Sequence, residues 1–283
     1  MERPTVEVYE QRAGDWQVKR PPANREDAVA LSRRALAHAP LLDAGSGPGS
    51  YLPDLRRPTV ALDAAFAMVA LARDTAPEVP AVVGDLEALP FRRGAFGGAW
   101  GRASYLHIRK TRLPMALARL HDALVVGAPI HLTLREGEGE GPLDNDDFAG
   151  RFFARWQAAE LAGVATGAGF EIDAVVTEGQ WVRLDATRAR TLPDFVGPGM
   201  RVLTCGLNPS LVAADAGYGY AGPSNRFWKA MTAAGLITRG RDPWHALAVD
   251  RVGMTCMVKR ATPRSRDLGK DEYRAGAARV AQL

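Results

Sequence analysis

The stretch Leu41-Leu42-Asp43-Ala44-Gly45-Ser46-Gly47-Pro48-Gly49 constrains the fold of this chain more than any other. An apolar run ends in a carboxylate, and three alternate glycines follow at once. This is a strand entering a tight turn whose backbone must come close to a ligand. Side chains there would block the approach, and glycine tolerates positive φ. Two more acids close apolar runs in the same way. Asp63 follows Val60-Ala61-Leu62, and Asp85 follows Ala81-Val82-Val83-Gly84. Each lies roughly 20 residues after the last, about one βα unit. Singly, each acid reads equally well as a turn residue or helix N-cap. In register with the glycines, they read as the rim of one site at the carboxyl ends of parallel strands.

The pattern around these acids alternates. Ala28, Leu31, Ala35 and Leu36 give helical spacing within 25–39, then come strand 41–43, a helix from about Ser50, strand 59–63, helix 65–73 and strand 80–84. A strand or loop begins at Ala99-Trp100, and helix 111–125, strand 130–134 and helix 152–168 follow. Segments 171–176 and 180–184 read as a closing antiparallel pair. This βα alternation predicts an α/β fold: a parallel sheet with helices on both faces. Residues 1–24, with Tyr9 and Trp16 among charges and Pro21-Pro22 at the end, read as a helical lid or arm. Glu136 to Gly141 reads as a solvated acidic loop. Thr191 to Gly199 is rich in proline and glycine and reads as a linker, with a new unit beginning at Arg201. The domain expectation is therefore 1–190, a linker over 191–200, and 201–283.

Composition narrows the class. The chain has 283 residues, 47% hydrophobic and 24% charged, as soluble globular proteins do. No apolar run reaches the roughly 18 residues of a membrane span, and Met1-Glu2-Arg3-Pro4 does not open a signal peptide. Cys205 and Cys256 sit in apolar runs and read as buried thiols, not as a disulfide framework. No metal-ligand spacing stands out. A cytoplasmic location is the expectation. The net charge of +4 is uneven: residues 191–283 carry 13 Lys/Arg against 7 Asp/Glu, and the rest carry 23 against 25. The basic C-terminal part is compatible with a polyanion such as DNA, and equally with a solvated Arg-rich surface.

Residues 5–185 resemble the class I S-adenosylmethionine-dependent methyltransferases. The likeness rests on Leu42 to Gly49, on Asp63 and on Gly84-Asp85-Leu86-Glu87-Ala88-Leu89-Pro90-Phe91. It implies a Rossmann-like seven-stranded sheet and S-adenosylmethionine as cofactor. Gly45, Gly47 and Gly49 would form the cofactor loop, with Asp43 near the sulfonium and ammonium end. Asp63 would accept from the ribose diol and Asp85 from the adenine amino group, while Met68 and Leu86 sandwich the adenine. The segment Trp100 to Ile108 stands where the family places acceptor-facing residues. His107 is the candidate base there, with Arg102 and Tyr105 as orienting, substrate-binding groups; a structural histidine is the plainer reading of His107. The Asn/Asp-Pro-Pro-Tyr/Phe motif of many DNA-adenine and protein-glutamine methyltransferases is missing, which points to a small-molecule acceptor.

Residues 192–283 carry a second resemblance. Gly206-Leu207-Asn208-Pro209-Ser210, then Gly222-Pro223-Ser224-Asn225-Arg226-Phe227-Trp228 and Gly253 to Thr262, are similar to the mismatch-specific uracil/thymine-DNA glycosylases. The likeness implies that Asn208 positions an attacking water. It also implies that a flipped base stacks on Tyr220, and that backbone N–H groups near Leu207 and Tyr218 bind the departing pyrimidine. The family's later strands and its wedge loop have no counterpart before Leu283. The expectation is a truncated three-layer α/β/α unit without glycosylase activity by itself. Two functions follow: methyl transfer to a small molecule by a chain with an incomplete glycosylase segment, or a DNA-repair protein whose first domain binds cofactor or modifies nucleic acid.

Overall fold

The computed structural model describes all of residues 1–283. Helix α1 (Arg3–Lys19) and helix α2 (Arg25–Arg34) lead into strand β1 (Leu41–Ala44). Strand β2 (Thr59–Asp63), helix α3 (Phe66–Thr75), strand β3 (Ala81–Val83) and strand β4 (Gly98–Arg102) follow. Next come helix α4 (Leu113–Ala123), strand β5 (Pro129–Glu136), the short strands β6 (Glu140–Gly141) and β7 (Phe153–Trp156), and helix α5 (Ala158–Gly167). Strands β8 (Phe170–Glu178) and β9 (Trp181–Arg188) close the unit. The backbone of the sheet runs β3-β2-β1-β4-β5-β9-β8. The first five of these strands are parallel, while β9 lies antiparallel to both β5 and β8.

The parallel core follows from sequence. A strand buried on both faces reads as a near-continuous apolar run, and β1 and the first six residues of β5 are buried without interruption, with Asp43, His131 and Thr133 as their polar members. One face is covered by α4 and α5 through Leu113, Leu117, Leu120 and Leu161. The other is covered by α2 and α3 through Ala28, Leu31, Val69 and Ala72. Packing both faces leaves ligands only the crevice at the strands' carboxyl ends.

Three local expectations are corrected. No helix forms from Ser50: residues 47–54 are turns, because the glycine loop and Pro53 deny the segment a regular hydrogen-bond ladder. The first turns expected of the 152–168 helix are instead β7, which pairs with the end of β5 at Arg135 and Glu136 and with β6 from the acidic loop. The Pro/Gly segment after β9 is not a loose linker, since residues 191–196 are buried. Asp194 explains this. Its backbone N–H donates to Gly167 O at 2.8 Å. Its carboxylate accepts from Thr255 Oγ1 at 2.7 Å, from Lys259 Nζ at 2.9 Å and from Arg279.

The second unit has two parallel strands, β10 (Val202–Gly206) and β11 (Val252–Cys256), with helices α6 (Leu211–Ala216), α7 (Phe227–Ala233), α8 (Pro243–Ala248) and α9 (Lys270–Val280). Its small core comprises Phe195, Trp228, Ile237, Ala246, Val252 and Met254. Cys205 is exposed and Cys256 half-buried, against the expectation of two buried thiols. Strand β10 has one neighbour only, so part of its surface stays open to solvent. No helix is long and apolar enough to cross a membrane.

Candidate functional site

A cavity of about 520 Å³ opens at the carboxyl ends of β1, β2 and β4. The glycine loop forms its floor. Gly45 has φ +81° and a Cβ there would collide with Ser104 Cβ, so only glycine fits. Ser104 is held in place by donating to Ala44 O at 2.6 Å. Gly47 has φ +53° and open space where a Cβ would be, and it lines the cavity. This is a backbone cleared for the approach of a ligand.

Asp63 ends β2 beside this loop. Its carboxylate accepts from Gly47 N at 2.9 Å and Ala65 N at 3.0 Å, tying the loop to the start of α3. Each oxygen keeps a lone pair for a further donor. Burial outweighs those hydrogen bonds and pushes its pKa up. Asp43 is buried, and its Oδ2 has no partner in the protein. Burial, with the Asp63 charge beside it, raises its carboxyl to about 8. A buried carboxyl oxygen without a donor is costly, and here it lines a ligand-sized cavity. Asp43 could therefore hold a cationic group and Asp63 further hydrogen-bond donors of a ligand in this cavity. Met68 also lines the cavity, from α3.

Other expected residues stand elsewhere. Asp85 is off the cavity: its carboxylate accepts from Glu87 N at 2.9 Å and from the Met1 amine at 3.0 Å. Leu86 is 1% exposed and packed in the main core. Tyr105 is likewise in the core, and its hydroxyl has no partner. These two side chains serve packing, not the cavity wall. Arg102 does line the cavity.

His107 also lines it, but its imidazole is committed on both sides. Nδ1 lies 2.6 Å from Phe152 O, so it carries the proton, and Nε2 lies 2.7 Å from Tyr9 Oη, from which it accepts. Burial holds it neutral, with a pKa down to about 3. A free base at His107 is thus replaced by a hydrogen-bonded chain. Arg151 donates to Tyr9 at 2.9 Å and is itself ion-paired with Asp146, and both charged groups are buried. Tyr9 comes from α1, the expected lid, which lies over the cavity. It packs on Met68 and Ala65 with Trp16, and Thr5 Oγ1 accepts from Phe152 N. Asp146 and Arg151 were missed in sequence, and Tyr9 was read only as part of the lid. Their partners are up to 142 residues apart, and no local spacing announces them.

The second set of residues forms no part of this cavity. Asn208 follows β10, and its amide nitrogen donates to Thr262 Oγ1 at 2.7 Å and to Arg260 O at 3.0 Å. Tyr220 has φ 59° and stacks on Phe227 at 3.8 Å between centroids. Leu207 is 56% exposed. Tyr218 packs edge-on to Trp228.

Residues 41–127 match the family model described as "Methyltransferase domain". That match does not reach residues 192–283. Solved structures are similar over the first unit. The 1,6-didemethyltoxoflavin-N1-methyltransferase of Burkholderia thailandensis, with bound 1,6-didemethyltoxoflavin and S-adenosylhomocysteine, is 21% identical; the match covers 66% of this chain and 88% of that one, with a TM-score of 0.52. The CcbJ methyltransferase from Streptomyces caelestis is 14% identical over 64% of this chain and 98% of that one, TM-score 0.52. DhpI in complex with S-adenosylhomocysteine is 18% identical over 66% and 96%, TM-score 0.51. Residues 41–127 thus match a methyltransferase domain, and the first unit shares the Rossmann-like fold of these proteins.

Proposed function

We propose that the first unit transfers a methyl group from S-adenosylmethionine to a small molecule. The observation that carries this reading is the orphaned Oδ2 of Asp43, set beside a glycine loop that Asp63 holds open. Asp43 takes the methionyl ammonium end and Asp63 the ribose hydroxyls. The bound cofactor supplies an activated methyl group, and the protein's task is to align an acceptor with it. Helix α1 closes over the cavity and excludes water. The Arg151–Tyr9–His107 chain fixes that helix over the site, so His107 acts by positioning Tyr9. The small molecule bound to the Burkholderia neighbour agrees in kind with such an acceptor. The test is S-adenosylhomocysteine release from S-adenosylmethionine by the purified chain with pooled small-molecule acceptors. Turnover that Asp43→Asn abolishes supports the reading; turnover unchanged in that variant removes it.

A second reading concerns residues 192–283. The two segments that resemble the mismatch-specific DNA glycosylases meet in space, since Asn208 bonds Thr262 and Ser210 bridges Thr262. With its nitrogen spent on protein acceptors, Asn208 has its carbonyl oxygen left to hold a water. We infer a glycosylase-related unit there, with DNA as its partner. Binding of a G·U duplex by the chain supports it. Failure to bind at low salt, where phosphate contacts are strongest, removes it.

A further inference from the structure

The cavity extends past the cofactor loop to a wall whose charge the proposed methyl transfer has not used. Strand register builds this wall. Trp100 of β4 pairs with His131 of β5, which pairs with Asp185 of β9. Two residues on, Arg102 pairs with Thr133, which pairs with Arg183. Two further on, Arg135 pairs with Trp181. Residues directly opposite share a face, and so do alternate residues along a strand. All of these side chains therefore stand on one side of the sheet, and the stack of Trp100 on His131 at 4.5 Å follows from this.

The basic side chains on this face are not treated alike. Arg183 is flanked by Glu178 at 3.1 Å and Asp185 at 3.2 Å. His131 is held by Asp185 at 2.8 Å. Arg102 and Arg135 have no carboxylate within 4.0 Å. Both line the cavity, and so does Trp181. Their guanidinium carbons lie 6.0 and 5.8 Å from the centroid of the Trp181 ring, and Arg102 lies 5.9 Å from that of Tyr51. Of the other charged side chains lining the cavity, Arg20 is paired with Asp147 and Arg151 with Asp146. The cavity thus carries Asp43 and Asp63 at the glycine loop and, on the β4–β5–β9 wall, two guanidiniums without a carboxylate partner, Arg102 beside Tyr51 and Arg135 farther across the sheet. Two guanidiniums that lie near one indole and lack a carboxylate are free to take an oxyanion, which guanidiniums bind with charge-assisted and bidentate hydrogen bonds.

We propose that the methyl acceptor is a small organic anion whose carboxylate or phosphate sits between Arg102 and Arg135 against Trp181. This rests on the methyltransferase reading for the word acceptor, but the anion site itself does not. S-adenosylmethionine carries its own carboxylate, and the distribution of charge separates the two sources. Arg135 lies two strands beyond β1, roughly 10 Å across the sheet from Asp43, so it serves a second molecule.

Calorimetry with benzoate, phenyl phosphate and neutral benzamide tests this, on the chain with and without saturating S-adenosylhomocysteine. The expected result is that at least one anion binds tenfold or more tightly than benzamide. Arg135→Gln erases that preference, Arg135→Lys keeps part of it, and S-adenosylhomocysteine affinity changes less than threefold in either variant. Equal binding of benzoate, phenyl phosphate and benzamide overturns the proposal, as does a preference unchanged in Arg135→Gln. A tenfold loss of S-adenosylhomocysteine affinity in both Arg135→Gln and Arg102→Gln also overturns it, because the guanidiniums then serve the cofactor. If S-adenosylhomocysteine fails to bind at all, the methyltransferase reading falls, while the cofactor-free titrations still decide the anion site.

Discussion

Replacing Asp43 with asparagine should strengthen the folded chain and disable its site. The folded carboxyl titrates near 8 because it is buried beside Asp63, whereas an unfolded aspartate titrates at about 3.9. The folded pKa is the higher, so the folded state holds the proton more tightly. The cost of this group to stability is absent below about pH 4, grows by about 1.4 kcal/mol per pH unit, and levels off above about pH 8. At pH 7 that amounts to about 4 kcal/mol, an upper figure because water entering the cavity solvates the carboxylate. An amide carries no charge to desolvate and recovers most of this. Urea denaturation of the parent and of Asp43→Asn at pH 5 and pH 8 measures it. The variant should be more stable at both, with the larger gain at pH 8. Its S-adenosylhomocysteine affinity should fall by roughly 1.5–3 kcal/mol, the worth of a hydrogen bond to a charged group. A variant less stable than the parent at pH 8, or one that binds as the parent does, would refute the reasoning.

Other outcomes follow from the same geometry. Gly45→Ala sets a Cβ against Ser104 at a positive φ and should cost at least about 2 kcal/mol of stability, read by thermal denaturation, and weaken cofactor binding with it. His107 is held down to about 3 against its ordinary 6.5. Its contribution to stability is complete above about pH 6.5 and is lost as pH falls toward 3, at about 1.4 kcal/mol per unit. His107→Gln should flatten that acid limb and leave no shifted base in the pH–rate profile. A bell-shaped profile that loses its acidic arm in the variant would show His107 acting as a free base. Asp194→Ala leaves Lys259 and Arg279 without their carboxylate at the junction of the units. It should cost about 3–5 kcal/mol and open residues 191–200 to limited proteolysis; a junction that stays resistant would contradict the packed strut.

How much of this could be read from sequence depends on range. The glycine loop, Asp43 and Asp63 were legible because each lies at the end of its own strand, where residue type and position along the strand carry the information. Six of the seven main strands are legible from their apolar runs; the segment from Ala99-Trp100 reads as strand or loop, and its place between β1 and β5 makes it β4. Strand β7 was hidden because Phe152 and Phe153 precede a good helix, and only pairing with the end of β5 makes a strand there. The segment after β9 looked like a linker because the partners that bury Asp194 lie 61 to 85 residues away. His107 reads in sequence as a structural histidine or a base, and nothing local decides between them, because Tyr9, which donates to its Nε2, lies 98 residues earlier. Arg135 and Trp181 meet through strand register, which the separate segments do not state.

The most direct measurement is calorimetric titration of S-adenosylhomocysteine into the intact chain and into Asp63→Ala. Saturable one-to-one binding is expected, weakened about tenfold or more by the substitution. No binding at millimolar ligand, or equal binding by both proteins, would contradict it.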